Sequence, residues 1–218
     1  MARSTSQIAL PLDWSARGSN DAPLVVGTSN ADAIRYLRHV ATWPVRTAVL
    51  TGPRGSGRSL IGRLFAADTG GRVIDGHDSV AEEAIFHAWN AAQSSNIPLL
   101  IIADAPPADW GIVLPDLASR LRAVPVLTIA EPDDCLARDL IEALFAQRGI
   151  ALAPEVAAYI VPRMERSYAM VHRIVAALDA ASLEQGRRVG IRLTRETLLS
   201  QGLIDPDLLE RQDGTICR

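Results

Sequence analysis

Lysine is absent from this sequence of 218 residues; all 22 basic positions are arginine. Any phosphate chemistry must therefore use the longer, planar guanidinium instead of an ammonium group. Cysteine is scarce as well: Cys135 and Cys217 form no CxxC pair and have no histidine cluster beside them. That argues against a disulfide framework or a structural zinc site, assigns Cys135 to packing, and makes a reducing cytoplasm the expected setting. Long apolar runs are missing too. The longest, Leu99–Ala103, falls far short of the ~20 residues that cross a bilayer, so no membrane contact is expected. No charged segment followed by an apolar stretch opens the chain, which argues against secretion. A net charge of -3 offers no global attraction to nucleic acid, and the few aromatics (5%) form no stacking series for single strands. The four histidines, at 39, 77, 87 and 172, lack metal-ligand spacing.

What remains is an ordinary globular composition, 48% apolar and 22% charged, long enough for one sizeable core and a small second domain. Residues 1–23 read as an extended polar tail interrupted by the apolar hexamer Gln7–Leu12, where Pro11 disfavours a helix. From residue 24 to 131, strands alternate with helices, the signature of a parallel α/β sheet. Strands are predicted at Thr47–Leu50, Arg72–Asp75, Pro98–Ala103 and Pro125–Ile129. Helices are predicted after a Ser29-Asn30 cap, over Ser59–Ala67 and over Glu82–Gln93. Residues 132–204 carry helical patterns only, at Asp133–Arg148, Pro154–Met164, Ser167–Glu184 and Arg195–Gln201, and 205–218 form a polar tail.

The chemistry concentrates after the first strand. Gly52-Pro53-Arg54-Gly55-Ser56-Gly57-Arg58-Ser59 matches G-x-x-x-x-G-K-[ST] at every position except the lysine, replaced by Arg58. Glycines let successive backbone N–H groups wrap a phosphate in front of a helix N-terminus. Arg58 keeps the neutralising charge, and Ser59 is the residue that takes Mg in such a loop. ADP or ATP is thus the expected ligand. An acid at the end of a neighbouring strand completes such a site. Asp75 and Asp104 both qualify, and by pattern alone Asp104 follows the longer, more apolar strand.

With these motifs in place, the chain resembles the DnaA-related AAA+ proteins called Hda, regulatory inactivators of the bacterial replication initiator DnaA. Gly27–Ala33 is similar to the family's N-terminal nucleotide-site box. Glu83-Ala84-Ile85-Phe86 opens the helix after the Walker B strand, and Pro106-Pro107 follows the sensor-1 strand. Leu114–Leu121 looks like the box that ends in the arginine finger. An arginine in the lysine position of the phosphate loop also occurs among Hda proteins. The resemblance implies an AAA+ P-loop domain with a small C-terminal helical lid. It makes Asp75 the Walker B acid, binding Mg together with Ser59 through the nucleotide, and Asp104 the sensor-1 residue. Three departures stand out. Gly76 replaces the Walker B partner that would polarise water. Ser59 and Asp75 lie too close in sequence for the usual edge strand between them. The sensor-2 arginine falls on Ala169, leaving Arg166 or Arg173 as stand-ins.

The same resemblance implies partners. Arg120 becomes an arginine finger reaching in trans toward the nucleotide of DnaA, where a guanidinium can contribute about 10³–10⁵ in rate. Gln7, Ile8, Leu10, Pro11 and Leu12 have the pattern of a motif that binds the sliding clamp, the β subunit of DNA polymerase III. DNA is then contacted indirectly, through the clamp, which would associate this cytoplasmic chain with the nucleoid. On this reading the chain's own ATP hydrolysis is weak or absent. Two alternatives stay open: an autonomous AAA+ ATPase or loader, and a nucleotide-binding DNA adaptor using the arginines between Arg163 and Arg195. Self-association is open as well.

Overall fold

A computed structural model describes residues 24–204, and two compact units emerge, divided after Asp133. The first unit spans Val26–Asp133 and takes in Ser167–Ala169; among the described residues the second comprises 24–25, Asp134–Arg166 and 170–204.

In the first unit, four strands form one parallel sheet in the order β2-β3-β1-β4, with β1 at Thr47–Thr51, β2 at Arg72–Asp75, β3 at Leu99–Ile102 and β4 at Val126–Thr128. All residues of β1 and β3 are buried, as expected of central strands covered on both faces, whereas β2 and β4 are edges with exposed positions. Register places Thr47 opposite Leu99 and Asp75 opposite Ile102. The sheet is the shortened one anticipated from sequence. The chain passes from the helix Arg58–Thr69 straight into β2, and β2 forms the edge beyond β3.

Helix α1 (Thr28–Arg38) begins at the Gly27 cap, one turn earlier than a Ser29-Asn30 cap would place it. Asn30 lies inside the first turn and its side-chain oxygen accepts the Gly27 N–H at 2.9 Å, so it caps the helix backwards from within. Helix α2 (Arg58–Thr69) follows β1 and ends at Gly70, whose φ of 66° is left-handed. It lies close on the sheet, because a Cβ at Gly62 would come within 2.7 Å of Ile102 Cδ1. On the opposite face, α3 (Glu82–Ser95) and α4 (Pro115–Leu121) bury Ile85, Ala92, Leu117 and Leu121 against Val49, Leu99 and Ile101. Pro115 sits in the first turn of α4, where its missing N–H is harmless.

The second unit is all helical: α5 (Asp134–Gln147), α6 (Pro154–Ile160), α7 (Tyr168–Gln185) and α8 (Ile191–Ser200). Its core gathers Ile141, Phe145, Val156, Ile160, Ile174, Leu178 and Leu198. The α6 helix tightens into a 3₁₀ turn at Val161–Arg163, where Pro162 removes a helical donor. The last helix starts at Ile191, four residues before the predicted Arg195. Leu193 and Thr194 are buried, so the apolar face reaches further back than the charged residues suggest. No helix among the described residues is long and apolar enough to cross a membrane.

Candidate functional site

Parallel strands deliver their C-terminal ends to one edge of the sheet, and that edge collects the predicted chemistry. Strand β1 runs into Gly52, Pro53, Arg54, Gly55, Ser56 and Gly57, and α2 begins at Arg58. Gly55 and Gly57 have φ of 83° and 82°, a backbone that an L side chain adopts only with strain. Gly52 has a second reason to be glycine, since a Cβ there would meet Ile129 Cβ at 2.8 Å. Ser56 is buried and its hydroxyl has no hydrogen-bond partner. An orphaned hydroxyl inside a glycine loop, in front of a 12-residue helix, fits a loop shaped for an anion.

A cavity of about 220 Å³ opens beside the loop, lined by Arg54, Arg58, Ser59, Asp75, Asp78 and Asp104 among others. Predicted phosphate and metal residues from β1, β2 and β3 thus meet in one place. Ser59 and Asp75 share this wall, and a hydroxyl beside a carboxylate is the oxygen donor set that Mg²⁺ accepts alongside phosphate. A wider hollow of about 490 Å³ lies at the opposite sheet edge beside Tyr36, His39 and Thr128, but it has no phosphate-binding loop.

Both arginines of the cavity are already paired. Arg58 Nη2 donates to Asp104 Oδ1 at 2.6 Å, and Arg58 Nη1 donates to the Ala103 carbonyl. Arg54 Nη2 donates to the other Asp104 oxygen at 3.2 Å. Hydrogen bonds from Arg58, then from Arg54, hold the Asp104 carboxyl below its ordinary range. The Arg58 side chain is only 11% exposed, whereas Asp104 is 51% exposed.

No acid takes the place of the missing Walker B partner. Gly76 leaves β2 with φ of 82°, where any side chain would be strained. Asp78 pairs with His77, Oδ1 to Nε2 at 2.8 Å, and His77 stacks on Trp110 at 4.0 Å. Glu82 turns away to accept the N–H of Val113 at 2.9 Å and of Leu114 at 2.7 Å. It fastens the loop that enters α4.

Arg120, near the end of α4, lies outside the cavity. Its guanidinium rests 4.6 Å from the Phe86 ring centroid and 4.6 Å from that of Trp89, and Nη1 donates to Asn90 Oδ1. The side chain is half-buried against α3. Sequence reasoning missed this seat, although Phe86, Trp89 and Asn90 stand three and four positions apart on one helix face. Arg166 belongs to the helical unit, where it grips Asp134 with both arms at 2.7 and 2.9 Å; Arg173 is exposed. Gln7, Ile8, Leu10, Pro11 and Leu12 lie outside the described residues.

The sheet order, the glycine loop after β1 and the acids beyond β2 and β3 define an AAA+ P-loop domain carrying a helical lid. Residues 137–198 match the family described as "Hda, lid domain". Domain III of the Thermotoga maritima replication initiation protein DnaA superposes with a TM-score of 0.66 at 16% identity, covering 84% of this chain and 95% of that one. A replication initiator DnaA bound to AMPPCP and single-stranded DNA gives a TM-score of 0.56 at 15% identity, covering 72% of this chain and 63% of that one. The Thermotoga maritima RuvB Holliday junction branch migration motor gives 0.57 at 13%, covering 80% and 70%. The fold is thus the one seen in DnaA and RuvB, and residues 137–198 are similar to Hda lid domains.

Proposed function

We propose that the chain is a nucleotide-binding regulator of bacterial replication initiation. On this reading it docks on the DNA-loaded sliding clamp through Gln7–Leu12 and promotes hydrolysis of DnaA-bound ATP through Arg120. The observation that carries the reading is an imbalance within the first unit. A phosphate loop stands beside a strand end whose nearby groups are otherwise engaged: Gly76 has no side chain, Asp78 is paired with His77, and Glu82 is spent on the Val113 and Leu114 amides. Such a site is built to hold ADP or ATP more than to cleave it. The match of the lid to Hda lid domains points the same way.

In its own cavity, the loop amides and Arg58 bind the phosphates, while Ser59 and Asp75 would hold Mg. The ion supplies neutralisation of phosphate charge when bound. Arg120 acts elsewhere. A guanidinium presented to a neighbouring subunit's γ-phosphate offsets charge that develops as the bond to the leaving group breaks. The finger must first leave Phe86, Trp89 and Asn90, so its seat holds it in reserve until a partner offers a stronger anion. The clamp hexamer contributes proximity: tethering regulator and partner to one ring raises their effective concentration.

The test is an assay of DnaA-bound ATP hydrolysis with DNA-loaded clamp, comparing the wild type, Arg120→Ala, and a chain lacking residues 7–12. Loss of stimulation in both variants is expected. Full stimulation by Arg120→Ala would remove the finger, and full stimulation by the truncated chain would remove the clamp contact.

A further inference from the structure

Helix α8 buries Leu193, Thr194, Thr197 and Leu198 on one side and leaves a mixed stripe on the other. There Ile191, Arg192, Arg195, Glu196 and Leu199 line a hollow of about 550 Å³. Ile191 is an exposed large apolar residue, and Leu199 is half-buried. Arg192 and Arg187 both pair with Glu196, at 2.8 and 3.2 Å. Among the described residues Arg195 has no acidic partner. The stripe is therefore apolar at both ends, with an unmatched positive charge midway.

The chain leaves α8 in a way that leads it back along this stripe. Gly202 is left-handed, with φ of 61°, and the N–H groups of Gly202 and Leu203 donate to the carbonyls of Leu199 at 3.2 Å and Leu198 at 2.9 Å. That paired closure reverses the chain at a helix end. Leu203 and Ile204 are buried in the helical core. Next in sequence, outside the described residues, stand Asp205-Pro206-Asp207-Leu208-Leu209-Glu210: three acids, two leucines and no base. Pro206 disfavours a helical Asp205, so the sequence suits an extended run. Leu198, Arg195 and Ile191 lie at i, i−3 and i−7, along one side of α8. The helix covers about 10 Å between Leu198 and Ile191, a distance that three or four extended residues span at about 3.3 Å each.

We infer that residues 205–210 dock in cis along the outer stripe of α8, with Asp205 and Asp207 against Arg195 and the two leucines over Ile191. The inference is independent of the nucleotide and partner readings. Order along the chain matches order along the helix: the first acids come level with Arg195, and Leu208 comes level with Ile191. Charge matches as well, since three carboxylates meet the one arginine of the stripe that has no acid of its own. Ile204, fixed in the core, keeps the segment at high effective concentration, so modest contacts are enough to hold it. Docked there, the segment covers Ile191 and occupies Arg195. The stripe is then withdrawn from other anions, nucleic-acid phosphate included.

The experiment is amide hydrogen exchange of the full chain, read by mass spectrometry over residues 205–210, with the same segment as a synthetic peptide setting the unprotected rate. In the wild type, exchange there is expected to be slowed at least about tenfold. Arg195→Glu should bring the rate to within about twofold of the peptide, and adding Asp205→Arg and Asp207→Arg to it should restore most of the protection. Leu208→Ser with Leu209→Ser should also lose it, and circular dichroism verifies that each variant is folded. Exchange at the peptide rate in the wild type would overturn the inference. So would protection that survives both Arg195→Glu and the paired serine substitutions. Protection that rises with protein concentration, alongside a dimer in sedimentation, would make a second copy the occupant and overturn docking in cis.

Discussion

The guanidinium of Arg120 lies 4.6 Å from the ring centroid of Trp89 and 4.6 Å from that of Phe86. A cation seated on two aromatic faces gains about 0.5–2 kcal/mol, and the Asn90 amide adds a hydrogen bond from a charged donor. Arg120→Ala should therefore cost about 1–2 kcal/mol of stability in addition to its effect on any partner. Urea denaturation of the wild type and variant measures this. An unchanged midpoint would mean that the seat contributes nothing.

Trp89→Leu separates storage from action. It keeps apolar volume on α3 while removing one face of the seat, so Arg120 leaves more readily. If release precedes the trans contact, half-maximal stimulation of DnaA-bound ATP hydrolysis should need several-fold less of this variant. A shift to higher concentration would show that the seat orients the finger instead of storing it.

Glu82 controls the same arginine from a distance. Its carboxylate fastens the Val113 and Leu114 amides just ahead of α4, which carries Arg120. Glu82→Ala should cost about 1 kcal/mol, since Val113 is exposed and its amide can turn to water. ADP affinity should stay unchanged while stimulation of DnaA falls, and Glu82→Gln, which keeps an acceptor, should restore part of it. Loss of ADP binding in Glu82→Ala would place this residue in the nucleotide site after all.

Acid should loosen the latch at Asp104. Arg58 and Arg54 hold its carboxyl below the ordinary value of 3.8. The unfolded chain therefore binds this proton more readily than the folded one. The contribution to stability is complete above the ordinary value and disappears as pH falls through it toward the folded value. Because Asp104 is 51% exposed, the effect should stay below about 1 kcal/mol. Denaturation midpoints between about pH 5 and pH 3 should fall less steeply for Asp104→Asn than for the wild type.

Much of this architecture was legible in the residues. The apolar runs of β1 and β3 announced central strands, and the glycine spacing before Arg58 announced the loop, because both patterns answer to local geometry. The crowding of Ser59 and Asp75 along the chain correctly implied a sheet short of one edge strand. What stayed hidden depends on contacts between distant positions. Asp104 lines the cavity beside the loop, but its hold on Arg58 and Arg54 appears only once β3 is laid beside that loop. Nothing in the sequence around Glu82 shows that its carboxylate accepts the amides of Val113 and Leu114. The start of α8 was misjudged because buried Thr194 looks polar in sequence yet packs inside.

On the proposed function, the chain completes a partner's active centre while its own turns over little. The most direct measurement loads radiolabelled ATP on DnaA alone and follows single-turnover hydrolysis with loaded clamp, alongside steady-state turnover of free ATP by this chain by itself. The account predicts accelerated loss of DnaA-bound ATP together with negligible free turnover. Brisk ATP hydrolysis by the isolated chain, with no acceleration on DnaA, would contradict it.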